Sequence, residues 1–138
     1  GHGSRLDQFY GPTDLLLDKE TDSLIICDQW NGRVMRWSLS SAASQGQILI
    51  NSIACHGLAM DKEGHLYVTH SHEVRRYERG NSTNSTIVAG GNGRGSGLNQ
   101  LDTPYYIFVD NEGAVYVSEF YNHRVVKWVK GATEGIIV

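Results

Sequence analysis

Two groups of residues in this chain have the types and spacing to do chemistry. His56, His70 and His72 fall in its middle third. Neutral imidazole is the commonest protein ligand for zinc, so three imidazoles drawn together would form a candidate metal site. No His-Glu-x-x-His spacing fixes their geometry in advance. The second group is a trio that occurs twice, Asp28, Asn31 and Arg33 and then Glu119, Asn122 and Arg124. An acid, an amide and a guanidinium could serve acid–base catalysis, but one active site has no use for the same trio in two places. The trio is therefore read as loop hardware, with the acid and Asn bonding backbone groups and Arg pairing with an acid.

The elements that position these groups are short strands. Residues 106–110 alternate apolar and larger side chains, Asn111-Glu112-Gly113 is a tight turn, 114–118 is a second apolar strand, and 124–129 alternate again beyond a polar loop. Residues 9–37 repeat this stretch, with Pro12 on Pro104, Asp18 on Asp110 and Trp37 on Trp128. Residues 53–77 form a weaker copy in which Cys55 replaces the proline and His70 the loop acid. Asp18, Asp61 and Asp110 recur at intervals of 43 and 49 residues, periods that mark an array of supersecondary units. A fourth short strand follows each copy, at 47–50, 86–89 and 135–138. The expected fold is all-β, three four-stranded antiparallel meanders of the kind that form β-propeller blades. The divisions are a lead-in at 1–8, blades at 9–51, 52–90 and 91–138, all in one domain.

Composition agrees with a single globular domain: 138 residues, 40% hydrophobic and 20% charged, with 16 Gly against 2 Pro. No apolar run reaches the length of a membrane helix. The net charge of −3 supplies no global field for a phosphate backbone, and alternation separates Arg75 from Arg76 within the cluster Arg75, Arg76 and Arg79, so nucleic acid is not an expected partner. The glycines between Gly90 and Gly97 lack the Lys and helix of a phosphate cradle and are read as a loop. Gly1-His2-Gly3-Ser4 looks like the scar of a cleaved tag. Cys27, inside an apolar strand, is expected to be buried and Cys55 to be exposed, with their pairing left open. Asn81-Ser82-Thr83 and Asn84-Ser85-Thr86 are tandem glycosylation sequons at Asn81 and Asn84, which favour an extracellular or secreted parent.

The pattern P-x-x-[IL]-x-[VL]-D, an apolar strand ending in an acid, then N-x-R-V-x-x-W, resembles the NHL repeat. Residues 9–37 and 101–128 carry it well and the middle copy loosely. The resemblance implies propellers that usually close with six blades, of which this chain would supply half. It also implies ligands on one rim, where the loops 28–32, 70–73 and 119–123 meet the starts of the inner strands 14–18, 57–61 and 106–110. The expected binding rim is Tyr10, Asp14, Trp30, His56, His70, His72, Tyr105, Phe120 and Tyr121; the competing role for its aromatic rings is wedging between blades. The leading functional expectation is a non-catalytic binding or scaffold module for a protein, peptide or glycan, with no cofactor. One alternative is a metal-dependent lyase or hydrolase holding zinc at the channel mouth through His56, His70 and His72, because a peptide-amidating lyase similar to this family holds zinc with histidines; calcium is the other metal considered as a cofactor. Another is the RNA binding of some animal NHL proteins. Three blades leave two apolar flanks open, so a homodimer closing a six-bladed ring is the expected partner arrangement, its rival being a longer parent chain that supplies the missing blades.

Overall fold

The computed structural model describes residues 1–40, 42–80 and 83–138. Three four-stranded antiparallel sheets follow one another along the chain. The first holds β1 (Pro12–Asp18), β2 (Ser23–Asp28), β3 (Arg33–Ser38) and β4 (Gln47–Asn51). The second holds β5 (Cys55–Met60), β6 (Leu66–His70), β7 (Glu73–Tyr77) and β8 (Ser85–Gly90). The third holds β9 (Pro104–Val109), β10 (Val115–Glu119), β11 (Arg124–Trp128) and β12 (Ile136–Ile137). Strand order within each sheet follows chain order, which makes each a blade. Helix is confined to one turn at Gln29–Asn31 among the described residues, none of whose helices is long and apolar enough to cross a membrane.

Turn chemistry fixes the registers. In blade 3 the Asp110 carboxylate accepts the amides of Glu112 and Ala114, while Gly113 takes a left-handed φ of 83°. Blade 2 repeats this with Asp61, which accepts the amides of Glu63 and His65. In the longer first turn Asp18 accepts the Glu20 amide.

Each blade buries one face on the next. Ile25, Cys27 and Val34 of blade 1 meet Leu58, Leu66 and Val68 of blade 2 in one apolar cluster. Tyr67, Val74 and Ala89 of blade 2 meet Val109, Val117 and Trp128 of blade 3 in a second. The inner strands lie side by side: Thr13 Oγ1 donates to the His56 carbonyl (2.8 Å), and the Leu58 amide to Asp14 Oδ2 (2.9 Å).

Two expectations are corrected here. Cys55 is fully buried rather than exposed, and it forms a disulfide with Cys27 across the first blade junction, their Cα atoms 5.8 Å apart. The pairing needs the end of β2 beside the start of β5, a contact that only blade stacking creates.

Gly1-His2-Gly3-Ser4, expected to be an unengaged scar, packs on blade 1, where the Gly3 and Ser4 carbonyls accept from Asn31 and Arg33. Residues 1–9 form a loop that binds the trio of blade 1, and residues 93–101 form its twin on blade 3. Arg33 donates to Asp28 (2.7 Å) and to the carbonyls of Ser4, Arg5 and Gln8. Arg124 donates to Glu119 and to the carbonyls of Ser96, Gly97 and Gln100. Asn31 reaches the Gly3 carbonyl and Asn122 that of Gly95, both at 2.9 Å or less. The signal lay in the sequence as Gly-His-Gly-Ser-Arg-Leu-Asp-Gln set against Gly-Arg-Gly-Ser-Gly-Leu-Asn-Gln.

Candidate functional site

The trio's polar atoms are spent on the lead-in loops. Asp28, Arg33 and Glu119 are all buried, and Asp28 and Glu119 also accept the amides of Tyr10 and Asp102. Blade 2 has neither lead-in nor trio, which ties the two features together. Freed from that duty, the blade 2 loop carries the histidines.

The starts of the inner strands and the loops after the second strands share one rim, where Pro12 pairs with Asp28, Cys55 with His70 and Pro104 with Glu119. A register shift in β5 between Cys55 and Leu58 leaves His56 out of the ladder. Its ring lies flat on Tyr105, centroids 4.0 Å apart and planes at 4°. Tyr105 stacks in turn on Phe120 at 5.1 Å, Tyr121 meets Phe120 edge-on, and Arg94 sits over Tyr121 at 5.5 Å. Tyr106 closes the other end, edge-on to His56. The result is an aromatic ladder along the rim, with Phe120 and Tyr121 more than half exposed.

Beside the ladder is a cleft of about 210 Å³, bounded by His56, His70, Ser71, Thr103, Tyr105 and the Gln29 side of blade 1. Its floor is tight because Thr69 Oγ1 accepts the Gly57 amide at 2.7 Å. Gly57 itself passes so close to the Tyr105 carbonyl that a Cβ would collide with that backbone, so glycine is required there. The Nδ1 atoms of His56 and His70 are buried and lack a hydrogen-bond partner. Burial pushes the His56 pKa below its ordinary 6.5, which favours a neutral ring. The lining otherwise consists of amide, hydroxyl and aromatic groups with the small apolar Ala54 and Pro104. Such a surface suits a ligand with apolar ring faces and hydrogen-bonding edges and without a formal charge.

The structure divides the expected rim residues. His56, His70, Tyr105, Phe120 and Tyr121 come together at the blade 2–3 junction. Tyr10 and Trp30 form a separate edge-to-face pair at 4.8 Å on blade 1, with His2 against Tyr10 at 4.5 Å. Asp14 is a strut rather than a ligand, since its two oxygens accept the amides of Leu15 and Leu58. His72 lies apart: it follows Ser71, which takes a left-handed φ of 54°, and it does not line the cleft. The three imidazoles do not form a three-donor group among the described residues.

Three donors do meet elsewhere, where Asp61, Glu63 and His65 bring one ligand atom each within 4.8 Å at the opposite end of blade 2. The electron pairs of Asp61 and His65 are engaged. Asp61 accepts from two amides, His65 Nδ1 (2.8 Å) and Tyr67 Oη (3.1 Å), and His65 Nε2 meets Glu78 at 2.9 Å. Burial and the Asp61 carboxylate push the Tyr67 phenol up to about 12, which keeps it a donor. Asp110 makes the same turn with Ala114 in place of His65, so the cluster is primarily turn hardware that zinc or calcium would have to compete for.

The arginines considered for a basic patch are paired: Arg75 with Glu73, Arg76 with Glu78 at 2.7 Å and Arg79 with Glu20 at 2.9 Å. Asn84 is exposed where the chain enters β8, and Asn81 lies outside the described residues.

No family model matches the chain, and no curated protein does. Solved structures do resemble it. A gluconolactonase from Xanthomonas campestris superposes with a TM-score of 0.78 at 15% identity over 96% of this chain and 48% of its own. A putative gluconolactonase gives 0.70 at 15% identity, over 95% and 49%. A streptogramin B lyase gives 0.68 at 13% identity, over 93% and 39%. The chain thus spans half or less of the length of these proteins. At such identities the likeness shows the fold, and the three four-stranded sheets are blades of a β-propeller.

Proposed function

We propose that the chain is an NHL-type propeller segment that works as a binding module, with the rim at the blade 2–3 junction as its recognition site and a neutral glycan as its ligand. The observation that carries this reading is the stack of His56, Tyr105 and Phe120 beside a cleft lined by hydroxyl and amide groups. The C–H face of a sugar ring packs on an aromatic face while its hydroxyls bond amide, hydroxyl and imidazole groups. NHL assignment draws support from the trio, whose residues all serve the repeated lead-in loop. The disulfide, with the sequons at Asn81 and Asn84, supports an oxidising, extracellular setting. Calorimetric titration with neutral methyl glycosides tests the site, with a Tyr- and Pro-rich peptide as the competing ligand. Tyr105→Ala should weaken glycoside binding roughly tenfold, because it collapses the stack in which Tyr105 lies between His56 and Phe120. Peptide binding without glycoside binding, or a Tyr105→Ala protein that binds as before, would overturn the assignment.

A second reading is favoured by the neutral His56 and by the likeness to two kinds of enzyme. In it the same cleft hosts a hydrolase or lyase reaction in which His56 accepts a proton from the substrate or from water. Turnover of a sugar lactone or a streptogramin B that vanishes in His56→Gln would establish it, and inertness toward both would leave binding as the function.

A further inference from the structure

We infer that a second copy of this chain covers both open flanks, its blade 1 packing on blade 3 of the first and its blade 3 on blade 1 of the first. The two junctions inside the chain supply the template. Every blade presents a forward face to the next blade and a rear face to the one before, and the chain leaves one of each uncovered, the rear face of blade 1 and the forward face of blade 3.

Equivalent positions show what is missing. In blade 2, Val74 and Ala89 are 0% and 1% exposed in the cluster with Leu101 of the lead-in. Their counterparts in blade 3, Val125 and Val138, are 41% and 74% exposed. The counterpart of Leu101 is Phe9, in the lead-in of blade 1, which a second copy would bring over them. On the inner strands, Leu16 packs in one cluster with Leu58 and Met60. The counterpart of Leu16 is Phe108, 64% exposed, and the counterparts of Leu58 and Met60 are Leu15 and Leu17, 61% and 48% exposed. A second copy sets Phe108 against Leu15 and Leu17 twice, once at each junction.

Charge permits this contact. The rear face of blade 1 is Leu15, Leu17, Leu24, Trp37 and Ile48, and the cation on the forward face of blade 3, Lys127, already lies over Tyr116 at 5.3 Å. The area also suffices. Four faces of roughly 17 by 14 Å, from strand rise and spacing, give on the order of 1,000 Å² of sheet and more of accessible surface, which reaches the range of specific dimers.

Light scattering with charge-swapped variants tests the arrangement. The wild-type chain should run at about twice its 15.3 kDa mass. Leu15→Lys and Phe108→Glu should each run as monomers, because each places a charge in both junctions. An equimolar mixture of the two should recover the dimer, since one junction then pairs Lys with Glu and the other is wild type. A monomeric wild type, dimeric single variants, or a mixture of folded variants that stays monomeric would each overturn the inference. Should a variant unfold, Val138→Asp at the exposed chain end provides the same readout, with a monomer expected and an unchanged dimer contrary to the account. The ring closure stands apart from the rim ligand, so failure of one leaves the other standing.

Discussion

At the scale of single residues, the chain uses like chemistry for two ends. Arg33 and His56 both carry nitrogen groups near the rim, yet each nitrogen of Arg33 donates to Asp28 or to one of three carbonyls, whereas His56 keeps an unpartnered nitrogen. Arg33→Met should therefore destabilise by about 3 kcal/mol, because it strands the buried Asp28 charge, while leaving ligand affinity intact; thermal melts and calorimetry separate the two effects. His56 gives the opposite signature. Its folded pKa lies below the ordinary value because burial disfavours the cation, so the unfolded chain binds the proton more readily. Its contribution to stability is complete above about pH 6.5 and is lost as pH falls through the depressed folded value. The melting temperature of the wild type should fall more between pH 7.5 and 5 than that of His56→Gln, and equal falls would show that the ring is not held neutral.

At the scale of elements, the two junctions are fastened differently. Blade 3 joins blade 2 through its lead-in loop, whose Leu101 lies in one cluster with Val74 and Ala89, whereas blade 2 joins blade 1 through the Cys27–Cys55 disulfide and Arg79, which reaches Glu20 at 2.9 Å. Replacing both cysteines by alanine should cost about 3 kcal/mol, and the loss should fall on the first junction. Hydrogen exchange would then rise in β1–β4 before β9–β12; uniform acceleration would argue against independent fastening. The strands and turns were legible in the sequence because alternation, Asp-initiated turns and glycine are local signals. The disulfide was not, because its partners meet only through stacking of two blades. The lead-in loop was hidden differently: its first four residues resemble a tag, and only comparison with residues 93–100 reveals the copy. At the site, aromatic types and loop positions were legible, but their division into two clusters, the strut role of Asp14 and the turning away of His72 depend on a register shift and a left-handed serine that composition does not encode.

At the scale of the molecule, three blades form a wedge with a finished interior and unfinished sides. The rim ladder crosses from blade 2 to blade 3, so it depends on the second junction and not on ring closure. Two copies joined at their flanks would carry two such clefts at one channel mouth, and a ligand with repeated units, such as a glycan chain, would gain avidity by engaging both. The most direct measurement is a map of backbone amide chemical-shift changes as a neutral methyl glycoside is titrated into the isotope-labelled chain. The account predicts saturable changes concentrated at His56, Gly57, Thr69, His70, Thr103, Tyr105 and Phe120. Changes centred on the Asp61–His65 turn or on Tyr10 and Trp30, or a spectrum that does not move, would contradict it.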